Sequence, residues 1–151
     1  MKIKVLALDP GVTTGFATID SNDAVNADQV KCDHRAFYDF LVGYNPGSIV
    51  FERFVYQRRD KVVLWPVEVI GVIRLYSEQF EVPLYAQTPS QAMNLWTDDK
   101  IKKLELWQPG LGHGMDAVRH LLYHLVVTKG ERKWLENLRP EETTPRPPLQ
   151  R

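Results

Sequence analysis

An almost unbroken apolar strand that ends in a carboxylate constrains this chain more than any other feature. In Lys2-Ile3-Lys4-Val5-Leu6-Ala7-Leu8-Asp9-Pro10-Gly11, the run from Val5 to Leu8 has the β propensity of a strand covered on both faces. Pro10 cannot continue a hydrogen-bonded ladder and Gly11 tolerates positive φ, so a turn is expected at once. Asp9 is thereby left at the strand's C-terminal rim, where ligand sites of α/β sheets gather. Asp-Pro and Pro-Gly are also ordinary turn dipeptides, so Asp9 needs its neighbours to distinguish a site from a turn.

A second strand ends in the same way. Ser48-Ile49-Val50-Phe51-Glu52 is apolar up to its terminal carboxylate. Before it, Gly15 to Ile19 and Ala24 to Val30 read as strands two and three of an antiparallel meander, and Phe37, Phe40 and Leu41 recur at helical spacing until Asn45-Pro46-Gly47. A helix-bearing crossover of that length permits parallel pairing of the Glu52 strand with the Asp9 strand. Asp9 and Glu52 are then expected side by side.

Downstream, Pro66 suits a first helical turn, and Val69, Val72, Ile73, Tyr76 and Phe80 trace one stripe of a long helix. Val67, Ile70 and Leu75 lie off that stripe, which predicts a second covered face, and Gly71 allows close approach of a second subunit. Val82 to Ala86 is a last short strand. Thr88-Pro89-Ser90-Gln91 has capping-box spacing with proline in the first turn, Thr97-Asp98-Asp99 opens another helix, and Val118, Leu121, Leu122 and Leu125 mark a final helix ending near Gly130. These elements predict one compact domain over 1–130 and an extension over 131–151, largely disordered from about residue 140, where Pro140, Pro145, Pro147 and Pro148 disfavour packing.

The one cysteine, Cys32, excludes an internal disulfide, and no secretory leader pattern opens the sequence, which fits a reducing cytoplasm. No apolar run approaches the length that spans a bilayer, so no membrane partner is expected. Nineteen basic and nineteen acidic residues cancel, so only a local patch can carry nucleic-acid binding.

Asp9, Glu52 and the segment Gly112-His113-Gly114-Met115-Asp116 supply hard oxygen ligands and an imidazole from three distant regions. Mg²⁺ favours a few carboxylates with water and phosphate oxygens completing its shell. In a two-metal site one ion activates the attacking water and the other stabilises the leaving oxygen, so the set suggests phosphodiester hydrolysis. His113 and Asp116, three apart, can share a helix side, although Asp116 alone also fits a solvated first-turn acid.

The combination resembles the RuvC-like Holliday junction resolvases of the RNase H-like superfamily over about residues 1–128, in the style of compact phage-encoded members. The similarity rests on Asp9-Pro10-Gly11 with Thr14-Gly15-Phe16-Ala17, on Ile49-Val50-Phe51-Glu52-Arg53, and on His113-Gly114-Met115-Asp116-Ala117-Val118-Arg119-His120. It implies an α/β fold with a five-stranded mixed sheet flanked by helices, a homodimer built on the long central helix, and Mg²⁺ or Mn²⁺, two ions, as cofactor. Asp9, Glu52, His113 and Asp116 match the metal-ligand positions. Branched DNA is the implied partner and paired nicking of four-way junctions the implied activity, in the host cytoplasm for a phage-encoded member. The lysine that some relatives carry near the helix starting at Pro89 is replaced by Ser90 and Gln91, and Lys100 is the surviving match for a catalytic, phosphate-contacting lysine. With Lys102 and Lys103 it reads equally as a solvated face.

The segment from Arg53 to Lys61 combines cations with aromatics. Arg53, Arg58, Arg59 and Lys61, with Lys100 and Lys103, are candidates for phosphate contacts, and Phe54 or Tyr56 for stacking on an opened base; an ordinary surface loop is the other reading. Three rivals stand beside junction resolution. A nuclease of the same fold can act on flaps, forks or RNA–DNA hybrids, and a catalytically silent DNA-binding protein can keep the fold. Asp9 to Gly15 also resembles a phosphate loop of sugar-kinase or actin-like domains, but those need a second lobe for which 151 residues leave no room.

Overall fold

The computed structural model describes residues 2–56 and 62–138. Strands β1 (Ile3–Asp9), β2 (Thr14–Asp20) and β3 (Val25–Val30) form the antiparallel meander; α1 (His34–Tyr44) crosses to β4 (Ile49–Glu52), and α2 (Trp65–Phe80) leads to β5 (Leu84–Gln87). Helices α3 (Pro89–Leu95), α4 (Asp98–Lys103), α5 (Gly112–Tyr123) and α6 (Lys133–Glu136) follow. The sheet order is β3-β2-β1-β4-β5, with β1 parallel to β4 and β4 parallel to β5. The mixed five-stranded sheet and the pairing of the two carboxylate-ended strands are as the sequence predicts.

Because side chains alternate across a strand, the sheet has two cores. Leu6, Leu8, Phe16, Ile49 and Phe51 pack on one face with Phe37 and Leu41 of α1 and Val69, Ile73 and Tyr76 of α2. Val5, Ala7, Ala17, Ile19 and Val50 pack on the other with Ala117, Val118, Leu121 and Leu122 of α5. Continuing the alternation places Asp9, two past Ala7, and Glu52, two past Val50, on the α5 face. β5 adds Gln87, which pairs with Glu52 in the ladder and follows Tyr85 of the same core. Three adjacent strands thus end in Asp9, Glu52 and Gln87 beneath one helix.

Local chemistry sets the element ends. The Asp33 side chain accepts from Ala36 N at 2.8 Å to cap α1, and Asn45, at φ 45°, closes it in the left-handed conformation. The capping box at α3 forms, with Thr88 N donating to Gln91 Oε1 at 2.8 Å. Gly11, which tolerates positive φ, does not adopt it. The turn is instead closed by Thr14, whose hydroxyl donates to Gly11 O at 3.1 Å.

Ile70 also departs from expectation. It is 8% exposed and belongs to the α2 core, because it stands three residues before Ile73 on the sheet-facing side. Phe80, expected on the buried stripe, is exposed at the helix's last position, and Leu64, Val67 and Leu75 are exposed as well, with open space around Gly71. α5 continues into a π-helical turn (His124–Thr128), and past Gly130 the side chain of Trp134, with Leu135 and Leu138, packs on the α5-side core. The expected disorder from about residue 140 lies outside the described residues.

Candidate metal centre

α5 presents His113, Asp116 and His120 at intervals of three and four, so one side of the helix faces the row of strand ends. What brings it so close is Gly15 of β2, which pairs with Asp9 in the ladder. A Cβ on Gly15 would lie 1.9 Å from the His113 carbonyl oxygen and 2.8 Å from Gly114 N. Only a residue without a side chain lets the two backbones meet there.

His113 Nδ1 lies 2.9 Å from Asp9 Oδ2, and the ligating atoms of Asp9, His113 and Asp116 all fall within 4.8 Å of one another. Burial pushes the Asp9 carboxyl up to about 6 from its ordinary 3.8; the His113 hydrogen bond opposes this, and the charges of Glu52 and Asp116 add to it. Burial likewise raises Asp116, with Arg119 opposing and Glu52 reinforcing the shift. These are desolvated, mutually repelling carboxylates, a condition a bound cation relieves. Two carboxylates and an imidazole, with Glu52 alongside, suit Mg²⁺ or Mn²⁺ by donor type, so the residues fit a divalent ion.

Glu52 stands apart from the three. Its Oε2 is 2.8 Å from His120 Nε2, and His120 is in turn held by Gln87. Asp116 is held as well: Arg119 Nη1 donates to its Oδ1 at 2.5 Å, Nη2 to Asp98, and Nε to Trp96 O at 3.0 Å. Gly15, Gln87, Arg119 and His120 are the residues sequence reasoning missed. Two signals were available: Gln87 ends a strand as Glu52 does, and Arg119 and His120 stand three and four residues after Asp116.

Lys100 Nζ donates to Leu95 O at 2.6 Å, which ties it to the end of α3. Lys103 is exposed at the end of α4. Arg53, Phe54 and Tyr56 are exposed directly after Glu52, and Arg53, Phe54, Pro10, Pro66 and Pro89 border a cavity of about 180 Å³ that reaches Glu52. Arg58, Arg59 and Lys61 lie outside the described residues. Among the described residues no helix is long and apolar enough to cross a membrane.

No protein-family model matches the sequence, and no curated protein does. Solved structures do. Thermus thermophilus RuvC in complex with Holliday junction substrate aligns with a TM-score of 0.66 at 17% identity, covering 87% of this chain and 97% of that one. A second structure of Thermus thermophilus RuvC aligns at 0.62 and 18% identity, covering 83% and 95%. The chain has the RuvC-like, RNase H-like fold. The yeast mitochondrial Holliday junction resolvase Ydc2 aligns at 0.47 and 14% identity, over 90% of this chain and 84% of that one.

Proposed function

We propose that this RuvC-like chain is a metal-dependent endonuclease that resolves four-way DNA junctions by paired nicks. The observation that carries the reading is the convergence of Asp9, His113 and Asp116 within 4.8 Å, with Glu52 on the adjacent strand end, in a fold shared with RuvC. Asp9, Glu52, His113 and Asp116 are the proposed ligands of Mg²⁺ or Mn²⁺, two ions. Bound there, divalent ions supply Lewis-acid stabilisation of the phosphodiester and an activated water.

The remaining roles belong to the surface around the site. Arg53, Arg58, Arg59, Lys61 and Lys103 are proposed to contact phosphates, and Phe54 and Tyr56 to stack on bases at the branch point. Lys100 is proposed to reach the phosphate near the ions by giving up its bond to Leu95 O. Paired nicks on a two-fold junction call for two active sites. The exposed residues Leu64, Val67 and Leu75 recur at helical spacing along and just before α2, around the open Gly71, which supports a homodimer on that face. A DNA substrate agrees with work in the cytoplasm.

The test is a labelled four-way junction incubated with and without Mg²⁺, beside linear duplex, flap, fork and RNA–DNA hybrid. Symmetric nicks in the junction alone, abolished by EDTA, are expected. Preference for another substrate replaces the junction reading within the same chemistry, and tight junction binding without metal-dependent cutting removes the nuclease reading.

A further inference from the structure

We infer that His120 is a positioning residue for Glu52: it occupies one carboxylate oxygen and leaves the other for a divalent cation. The inference rests on the metal reading of the site.

The buried chain behind Glu52 is ordered by which atoms can donate. The His120 carbonyl oxygen only accepts, so the Gln87 group 3.3 Å from it is the amide Nε2, which donates. The Gln87 Oε1 then faces His120 Nδ1 at 2.8 Å and accepts a hydrogen bond from it. That leaves His120 Nε2 directed at Glu52 Oε2, 2.8 Å away, as the contact that fixes the carboxylate. His120 is 1% exposed and Gln87 4%, so water does not substitute for either partner. Three elements contribute one residue each: β5 fixes the ring, the ring fixes the carboxylate, and β4 carries the carboxylate to the rim.

Glu52 needs such a hold because it is longer than Asp9 by one methylene and stands half-open to solvent. An unrestrained glutamate spreads its carboxylate over several rotamers, and a metal ion then has to order it at entropic cost. Partners that orient ligands in this manner are worth about 10- to 100-fold in metal affinity. A histidine that merely satisfied a buried polar position would affect stability and leave metal affinity alone.

Mn²⁺ binding to the full chain, measured by titration calorimetry in the absence of DNA, separates these cases. His120→Leu is expected to weaken Mn²⁺ binding about 10- to 100-fold, while His120→Gln, whose amide N–H reaches the ring's Nε2 position, stays within about threefold of wild type. Should His120→Leu fail to fold, Gln87→Leu is expected to weaken binding about 10-fold, its side-chain hydrogen bonds among the described residues going to His120 rather than to Glu52. Unchanged Mn²⁺ affinity in folded His120→Leu or in Gln87→Leu overturns the positioning role and leaves the metal site standing. A wild-type chain that binds no Mn²⁺ at millimolar concentration overturns the metal site, and the positioning role with it.

Discussion

Arg119 holds Asp116 from beneath, Nη1 to Oδ1 at 2.5 Å, while its other nitrogens grip Asp98 and the Trp96 carbonyl at the α3–α4 junction. One guanidinium therefore joins a proposed metal ligand to the start of α4, the helix that carries Lys100. Its head is a planar fork with donors in three directions, which a lysine ammonium does not reproduce.

Replacing Arg119 with Met should leave the Trp96 carbonyl and Asp116 without their partner. The two carboxylates are partly open to water, so the expected loss is about 2 kcal/mol, below the value for a fully buried pair. Urea denaturation measures it. Arg119→Lys should recover less than half, and full recovery by lysine would show that charge alone matters there.

Asp9→Asn should stabilise the metal-free protein while abolishing cutting. The Asp9 carboxyl titrates near 6 in the folded chain against an ordinary value of 3.8, so between those values the folded state holds a proton that the unfolded state has lost. Stability from this group is complete below pH ~4 and falls as pH rises through 6, by up to about 3 kcal/mol. Denaturation in EDTA should find Asp9→Asn more stable than wild type at pH 7.5 and equal to it below pH 4. A variant no more stable at pH 7.5 contradicts the strain assigned to the site.

His124 gives the opposite slope. Burial lowers its imidazole to about 4, with Lys129 adding to the shift and Glu131 opposing it, and neither ring nitrogen has a hydrogen-bond partner among the described residues. The unfolded chain takes up a proton near the ordinary 6.5 and the folded chain resists until about 4, so stability present above pH 6.5 is lost as pH falls through that window. The loss is on the order of 3 kcal/mol. His124→Leu should flatten the acid limb of a stability-versus-pH curve measured between pH 7 and 4, and an unchanged limb would remove His124 as its cause.

Leu75→Arg should convert a dimer into a monomer at micromolar concentration, because it places a charge on the exposed face of α2 without touching either core. Light scattering reads the mass. Junction binding should weaken in parallel, and a wild-type chain already monomeric at that concentration rules the α2 interface out.

Strand β1, the parallel β1–β4 pairing and the helix carrying Asp116 were legible in the sequence because each rests on a local pattern: an apolar run with a punctuating Asp-Pro-Gly, a crossover length, a 3.6 period. Ile70 was misplaced because a periodicity of apolar residues does not say which of two adjacent stripes meets the sheet. The α6 turn with Trp134 was missed because four residues are too few to show a period. Gln87, Arg119 and His120 are ordinary polar residues until the fold brings β5, α3 and β4 beside α5; their roles exist only as pairings across the chain, and one sequence carries no record of pairings. Gly15 is similar, since nothing local distinguishes a glycine that admits another backbone from one that loosens a strand.

The contact between Asp9 and His113 spans 104 residues of chain. On a ribosome, β1 to β5 emerge first, and a nascent chain ending before residue 112 carries two acidic strand ends with no helix to close over them. The proposed cutting centre therefore comes into being only when α5 docks on a finished sheet, a step slowed by the entropy of closing so long a loop. Synthesis order itself withholds the proposed cutting activity until that helix is in place.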